Sequence, residues 1–400
     1  MIQVAVLGYG TVGSGVVQVI DENKETIAKK TGDTLNVKYI LDLRDFPGDA
    51  NEDKVVHDYD VILQDPEVKV ICETMGGIRP AYQYTKDALL KGKSVCTSNK
   101  ALVADFGPEL LQTAKENNCN YMFEASVGGG IPIIRPMNTS LASEEIEKIM
   151  GILNGTTNYI LTKMSKEGVS FETVLKEAQE KGYAERNPEA DVEGHDACRK
   201  IAILSSLMTG KNVNYEKIHT EGITKITTRD FEYAKAMNKS IKLLAISERT
   251  EDGLETIVAP FMIGQEHSLN GVNDVFNGVY VTGNMLGDVM FYGQGAGKLP
   301  TASAVVSDAI ECAKNLGNTL PCLWDNEDAV LVDYEKAVRR FFVRVDLKDR
   351  GAVMNSFGQV NEIRITDEEF AFISDKMTEK ELKDRVNGIK GVLSVIRVEN

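Results

Sequence analysis

Tryptophan occurs once and histidine four times in these 400 residues, and no two histidines are paired at a metal-ligand spacing. Cysteine occurs six times (Cys72, Cys96, Cys119, Cys198, Cys312 and Cys322), scattered and without a C-x-x-C pair. That pattern offers no zinc site and reads as reduced thiols of a cytoplasmic protein. A nucleophilic cysteine also lacks an obvious base. His195 stands three residues from Cys198, but the acids and the lysine around it explain that block better. Basic clusters are absent, and 45 Lys and Arg against 60 Asp and Glu leave a net charge of −15. Nucleic acid and anionic membrane surfaces are therefore excluded as partners. No stretch approaches the ~20 apolar residues that span a bilayer. Met1–Leu7 has no basic segment ahead of its apolar residues, so it reads as a first strand and not as a secretion signal.

What is present is ordinary soluble composition, 42% apolar and 26% charged, on a chain too long for one core. Two or three domains are expected. Through residues 1–130, strand patterns at 4–7, 37–41, 68–73, 94–97 and 121–125 alternate with helical patterns at 11–29, 81–91 and 107–117. This alternation predicts a doubly wound parallel sheet of the Rossmann type. Gly8-Tyr-Gly10-Thr11-Val12-Gly13 follows the first strand and opens the first helix. In that context the glycines permit a tight turn and a close approach to the pyrophosphate of a dinucleotide, which rests on the helix N-terminus. Gly76-Gly77, after Thr74-Met75, lies where the sheet's carboxyl edge would pass the nicotinamide half. Lys100, in a loop after the 94–97 strand, would enter the same crevice. The second strand ends Asp42-Leu-Arg44, which supplies both an acid for the ribose of NAD and an arginine for the 2′-phosphate of NADP. The choice stays open.

The block Ala178–Lys200 concentrates Glu185, Asp191, Asp196 and Lys200 around a turn and into a helix start. Asp196 and Lys200 are spaced i,i+4, which by itself describes an ordinary surface pair worth ~0.2–0.5 kcal/mol. Lys200, however, leads into Ile201–Met208, apolar nearly all round, as in a buried helix. A lysine desolvated beside carboxylates suits proton transfer. Asn154-Gly-Thr-Thr-Asn-Tyr159 reads as a polar turn capping a helix that begins near Tyr159. Tyr292-Gly-Gln-Gly-Ala-Gly297 reads as a flexible loop before a helix over 302–316. Residues 324–335 are acidic and irregular, a linker. Beyond them strands at 340–347, 361–366, 370–374 and 392–398, with a short helix near 352–359 and a helix at 378–389, give the ferredoxin-like βαββαβ order.

The chain closely resembles homoserine dehydrogenase over about residues 1–320. The signature is carried by Ala178, Gly182, Tyr183, Pro188, Asp191, Val192, Gly194, Asp196 and Lys200, with Asn154–Tyr159 and Gly295-Ala-Gly297 followed by Pro300-Thr301 in support. The final sixty or so residues look like an ACT regulatory module, and no aspartate-kinase segment is present. The resemblance implies three parts: a dinucleotide-binding domain over 1–130 plus about 299–320, an α+β substrate-binding and dimerisation domain over 131–298, and an ACT-like domain over 336–400. It implies reversible reduction of L-aspartate 4-semialdehyde to L-homoserine with NADP or NAD, in the threonine and methionine route. Lys200 would be the proton donor, Asp196 its orienting partner, and Lys100 a neighbour of the nicotinamide and the reacting oxygen. Glu185, Asp191, Thr156 and Tyr183 would hold the substrate; Gly8, Gly10, Thr11, Val12, Gly13, Arg44, Thr74, Lys100 and Gly297 the cofactor. A sodium ion would be held by the Glu124 carboxylate and the carbonyls of Val127, Gly129 and Ile131. The family pattern further implies a homodimer or homotetramer, and threonine at the C-terminal module. Whether that module binds threonine or only helps assembly is open.

Two rivals share the glycine fingerprint. A non-enzymatic sensor of nicotinamide and amino acid would not need four charged residues converging near a buried helix. A semialdehyde dehydrogenase would need a catalytic cysteine.

Overall fold

A computed structural model describes residues 1–399 and divides the chain into two compact units. The first comprises Met1–Glu144, Ala202–Tyr215 and Gly293–Ala329. Its sheet holds β1 (Ile2–Leu7), β2 (Leu35–Leu41), β3 (Val55–Val56), β4 (Val68–Glu73), β5 (Ser94–Thr97) and β6 (Tyr121–Met122). The strands are all parallel in the order β3-β2-β1-β4-β5-β6. Helices cover both faces, so β4 and β5 are nearly continuous buried apolar runs. The topological switch lies between β1 and β4, where such sheets bind ligands at their carboxyl ends. The Lys298–Lys314 helix, far away in sequence, completes this core by setting Ala302, Val305 and Ala309 against Val4, Val16 and Cys72.

Several elements differ from the sequence expectation, among them the strand expected over 121–125, which ends at Met122 before a 3-10 turn at Glu124–Ser126. The helix expected over 11–29 is two, Thr11–Glu22 and Lys24–Thr31, because Asn23 leaves helical geometry and serves as the cap of both. The helix expected from Gly107 begins at Lys100, since Asn99 caps it by accepting from the Leu102 N–H at 3.2 Å. Lys100 is therefore the first residue of a helix and not a loop residue. Gly107-Pro108 reads as a helix start but sits inside, and the missing Cβ of Gly107 makes room for the Trp324 ring. Finally, the loop expected over 292–297 is shorter: a strand over Gly287–Gln294 precedes it and the following helix begins at Lys298.

The second unit comprises Glu145–Ile201, Glu216–Tyr292 and the chain from Val330 on. Its strands are β7 (Ile146–Ile152), β8 (His219–Thr220), β9 (Lys239–Thr250), β10 (Gly253–Gly264), β11 (Phe276–Gly283), β12 (Gly287–Gln294), β13 (Val338–Asp346), β14 (Glu369–Ile373), β15 (Met377–Thr378) and β16 (Val392–Val398). They join in the order β12-β11-β7-β9-β10-β16-β13-β14, with β8 beside β10 and β15 beside β13. The C-terminal strands thus continue the sheet of the middle region through a short parallel pairing, Phe261 with Arg397 and Met262 with Val398. The strand expected over 361–366 does not form. Ile363 makes only an isolated bridge to Ala371, while Glu362 is turned into ion pairs with Arg350 and Arg364. The two-residue β15 takes the place of that strand, and the order of strands and helices is still βαββαβ.

Candidate active site

In the first unit, β1 delivers the chain to Gly8 at a left-handed φ of +90°, where its N–H donates to the Leu41 carbonyl at 2.8 Å. A Cβ on Gly13 would collide with the Gly8 carbonyl and stand 2.8 Å from Thr74 Oγ1. Thr74 locks the turn from the other side, donating to the Leu7 and Gly8 carbonyls at 3.0 and 2.9 Å. No side chain caps the Thr11–Glu22 helix. The first-turn N–H groups of Thr11, Val12 and Gly13 are thus an uncapped anion site, aided by the helix dipole.

At the end of β2, Asp42 Oδ2 accepts from the Tyr9 N–H at 2.8 Å and from Arg44 Nη2 at 3.0 Å. Asp42 Oδ1 accepts from Arg44 N and Nε at 3.0 and 2.9 Å. The hydrogen bonds from Arg44 hold the Asp42 carboxyl well below the usual carboxylate range, against its partial burial. The Arg44 side chain is 63% exposed and lies over the Phe46 ring, its guanidinium 5.1 Å from the ring centre. At the carboxyl edge, buried Glu73 accepts from Thr97 Oγ1 at 2.6 Å and from the Met75 N–H at 2.8 Å. Burial pushes its carboxyl up, against those hydrogen bonds. Asn99 Nδ2 donates to the Gly77 carbonyl at 2.5 Å, so the Gly76-Gly77 turn is tied to the helix that Lys100 begins. Gly297, at φ +122°, stands at the uncapped start of the Lys298–Lys314 helix.

Glu124 is 3% exposed. Its carboxylate accepts from the N–H groups of Ile133, Ile134 and Arg135 at 2.6, 2.7 and 2.7 Å, which occupies most of its acceptor capacity. The carbonyls of Val127, Gly129 and Ile131 receive no backbone hydrogen bond among the described residues. Hard oxygen donors of this kind fit an alkali cation, with the carbonyls as the principal ligands.

The charged cluster lies in the second unit. The Gly155–Glu167 helix begins a turn earlier than expected because Asn154 is its cap, accepting from the Thr157 N–H at 2.9 Å. The amide of the same Asn154 reaches across to Asp191 Oδ1 at 2.7 Å and Asp196 Oδ2 at 2.9 Å. Asp196 and Lys200 both lie within the His195–Thr209 helix, with Nζ 2.8 Å from Asp196 Oδ2 and side chains only 10% and 5% exposed for lysine and acid. Lys200 also donates to the Leu153 carbonyl at 2.8 Å. Two of its three N–H groups are thus fixed by protein. Breaking a buried pair of this kind strands a charge at a cost of about 3–5 kcal/mol.

The expected residues Asp191, Asp196 and Lys200 are therefore brought together. Thr156 and Tyr183 meet beside them, Thr156 Oγ1 donating to the Tyr183 carbonyl at 2.6 Å, and the Tyr183 ring packs edge-on to Tyr159. Glu185 is exposed on the turn after Tyr183 and makes no hydrogen bond to the cluster. The bridge from Asn154 to Asp191 and Asp196, and the Leu153 carbonyl, were missed by the sequence reading. Asn154 carried a visible signal as a helix cap, but its second contact joins residues about 40 apart, and a backbone carbonyl carries no signal at all. Asp42 was read only as a ribose ligand, whereas it anchors the fingerprint loop through Tyr9. Cysteine chemistry finds no support: burial pushes Cys322 up to about 11 and Cys119 up to about 12, the reverse of what a nucleophile needs.

A glycine cradle at the switch point of a doubly wound sheet, with a buried lysine–carboxylate pair in the companion unit, defines a nicotinamide-dependent oxidoreductase. Residues 8–124 match the family model described as "Homoserine dehydrogenase, NAD binding domain", and residues 132–310 match that described as "Homoserine dehydrogenase". The homoserine dehydrogenase of Bacillus subtilis strain 168 is 43% identical over 378 residues, 90% of this chain and 84% of that one. A crystal structure of a homoserine dehydrogenase from Thiobacillus denitrificans superposes with a TM-score of 0.92 at 31% identity, covering 100% of this chain and 98% of that one. A hyperthermophilic archaeal homoserine dehydrogenase in complex with NADPH aligns with a TM-score of 0.66 at 28% identity, over 80% of this chain and 99% of that one. The chain belongs to the homoserine dehydrogenase family and is an NAD(P)-dependent oxidoreductase; the family's substrates are L-homoserine and L-aspartate 4-semialdehyde. No described helix is long and apolar enough to cross a membrane.

Proposed function

We propose that Lys200 is the proton donor in the reduction of L-aspartate 4-semialdehyde and the acceptor in the reverse direction. The observation that carries this reading is the lysine's anchorage: Asp196 and the Leu153 carbonyl hold two N–H groups, leaving the third for a substrate oxygen. When bound, the reduced nicotinamide supplies a hydride. The chain supplies orientation and one proton, and the ammonium stabilises negative charge developing on the carbonyl oxygen. Asp196, itself steadied by Asn154, orients the ammonium. Glu185 and Asp191 hold the substrate, one of them its ammonium, and Thr156 and Tyr183 shape the adjoining wall. Lys100, at a helix start beyond the end of β5, serves the nicotinamide end of the cofactor.

NADP is the preferred cofactor in this reading. Both Asp42 oxygens are already filled by Tyr9 and Arg44, while the exposed guanidinium of Arg44, over the Phe46 ring, offers a cation to a 2′-phosphate. Gly8, Gly10, Thr11, Val12 and Gly13 receive the pyrophosphate, Thr74 holds their turn, and Gly297 borders the site. A structural sodium ion would sit on the carbonyls of Val127, Gly129 and Ile131 with Glu124. The protein would act in the cytoplasm as a homodimer or homotetramer, with its ACT-like C-terminal module a binding place for threonine.

The test is absorbance at the reduced-nicotinamide band with L-homoserine at alkaline pH, run separately with NADP and NAD. Reduction of NADP in preference to NAD is expected, with a rate that rises from neutral to basic pH because the oxidation needs a proton acceptor. A flat profile would remove the lysine base. Lys200→Ala should lower turnover at least ~10²-fold with cofactor binding intact, and near-normal turnover in it would sink the assignment. No reduction at all, with cofactor bound, would bring the sensor reading forward.

A further inference from the structure

We infer that Arg397 and Glu221 are positioning residues for Lys200, acting through the backbone of Gly222. The inference rests on the reading of Lys200 as proton donor, and it lies wholly within the second unit.

The route starts on β16. Arg397, its side chain only 8% exposed, is gripped on two sides. Nη1 and Nη2 donate to the two oxygens of Glu221 at 2.9 and 2.8 Å, and Nη2 and Nε to those of Glu379, with Nη2 to Oε2 at 3.0 Å. Both pairings are forked, the arrangement that fixes direction as well as distance. Glu221 also meets His219 Nε2 at 2.6 Å, and the His219 ring stacks on Tyr334 with centres 3.7 Å apart. Although burial pushes the Glu221 carboxyl up, the hydrogen bonds of His219 and Arg397 hold it well below the usual carboxylate range. A group so restrained at its side chain restrains its own backbone.

That backbone is the floor under the catalytic helix. The Glu221 N–H donates to the Val258 carbonyl of β10 at 2.8 Å. Gly222 then presses against Val192 and Glu193 so closely that a Cβ would collide with the Val192 carbonyl and stand 2.5 Å from Glu193 Cα. The Ile223 N–H donates to that same carbonyl at 2.8 Å, and Thr224 Oγ1 to Glu193 Oε1 at 3.0 Å. Gly194, next along, turns at φ +84° with Thr220 Cγ2 only 3.1 Å from where its Cβ would be. Its carbonyl accepts from the Cys198 N–H at 2.9 Å, in the first turn of the helix that carries Asp196 and Lys200. Segment 220–224 therefore sets where that helix begins, and the charge lock on β16 sets segment 220–224. A lysine held by Asp196 and a fixed carbonyl tolerates little displacement before its third N–H leaves the line of the reacting oxygen. The C-terminal module thereby reaches the chemistry through an ion pair and a glycine contact, without contributing an atom to the site.

The experiment is a double-mutant cycle on the full-length chain, with L-homoserine oxidation as the assay and cofactor affinity and thermal melting measured on each variant. Arg397→Met and Gly222→Ala, which act at opposite ends of the route, should each lower kcat by roughly ten- to a hundred-fold, with cofactor affinity unchanged and melting above the assay temperature. In the Lys200→Ala background neither should cost anything further. Glu221→Gln, milder because that side chain is 43% exposed, should give a smaller loss of the same kind and keeps the test readable if Arg397→Met does not fold. Lys348→Ala breaks an exposed pair with Asp346 elsewhere on the C-terminal module and should leave kcat unchanged. The inference is overturned if folded Gly222→Ala and Glu221→Gln keep kcat within two-fold, or if the losses are the same with and without Lys200. Near-normal turnover of Lys200→Ala alone would instead remove the proton-donor reading on which the inference stands.

Discussion

The first unit builds its ligand-binding surface from glycine and backbone, whereas the second builds its cluster from charged side chains. The cradle of Gly8 to Gly13 works by what is missing, a Cβ at Gly13 and a cap on the helix that follows. Its partners are carbonyls and N–H groups, plus a threonine that holds the turn. The cluster of Asn154, Asp191, Asp196 and Lys200 works by what is added: ionisable groups removed from water and satisfied by one another and by the Leu153 carbonyl. A cradle of the first kind tolerates many ligands with a pyrophosphate. A cluster of the second kind tolerates little change, because a buried charged pair is stable only with its hydrogen bonds complete.

The comparison breaks most severely at Lys200, where Lys200→Ala strands Asp196 and, on the proposed reading, removes the proton donor. Gly13→Ala is the corresponding insult to the first unit. The added methyl must displace the Gly8 carbonyl, at a cost of about 1–3 kcal/mol for overpacking. Weaker NADP binding by about tenfold or more is expected by fluorescence titration, with kcat at saturating cofactor little changed; unaltered affinity would show that the turn yields. Arg44→Ala tests whether any part of the first unit also depends on a side chain. It should narrow the preference for NADP over NAD about tenfold, the value of one charged phosphate contact, measured as the ratio of kcat/KM for the two cofactors. An unchanged ratio would return recognition to Asp42. The smallest effect concerns the carbonyls of Val127, Gly129 and Ile131. Replacing sodium chloride by choline chloride at equal ionic strength should lower the melting temperature by a few degrees through mass action. Identical melting in the two salts would leave the loop to Glu124 alone.

How much was legible in the sequence follows the same division. The glycine fingerprint is local, six consecutive residues after a strand, and the parallel sheet around it announces itself by alternating with helices. Asp196 and Lys200 were legible too, since their spacing places them on one helix face. The strands of the middle region were not. β10 is apolar and buried along most of its length, so it lacks the period-two alternation that marks a strand, and it contains Pro260. Asn154 could be read as a cap but not as a bridge, because the residues it joins come from separate elements. The strand expected over 361–366 failed for a related reason: Glu362, Arg350 and Arg364 find one another in three dimensions and hold that segment out of the sheet.

The place of β16 in the sheet bears on how the protein is made. It lies between β10 and β13, so the interior of the sheet is filled by a strand well over a hundred residues downstream of its neighbour β10. On the ribosome, the Phe261–Met262 end of β10 must wait with an open edge until the stretch beyond residue 390 has emerged, since β8 covers only Ile257 and Val258, and pairings so distant in sequence close slowly. An open edge of this kind is an invitation to other chains. A nascent chain arrested before β16 would hold the lysine and carboxylates already synthesised, yet leave that end of β10 unpaired.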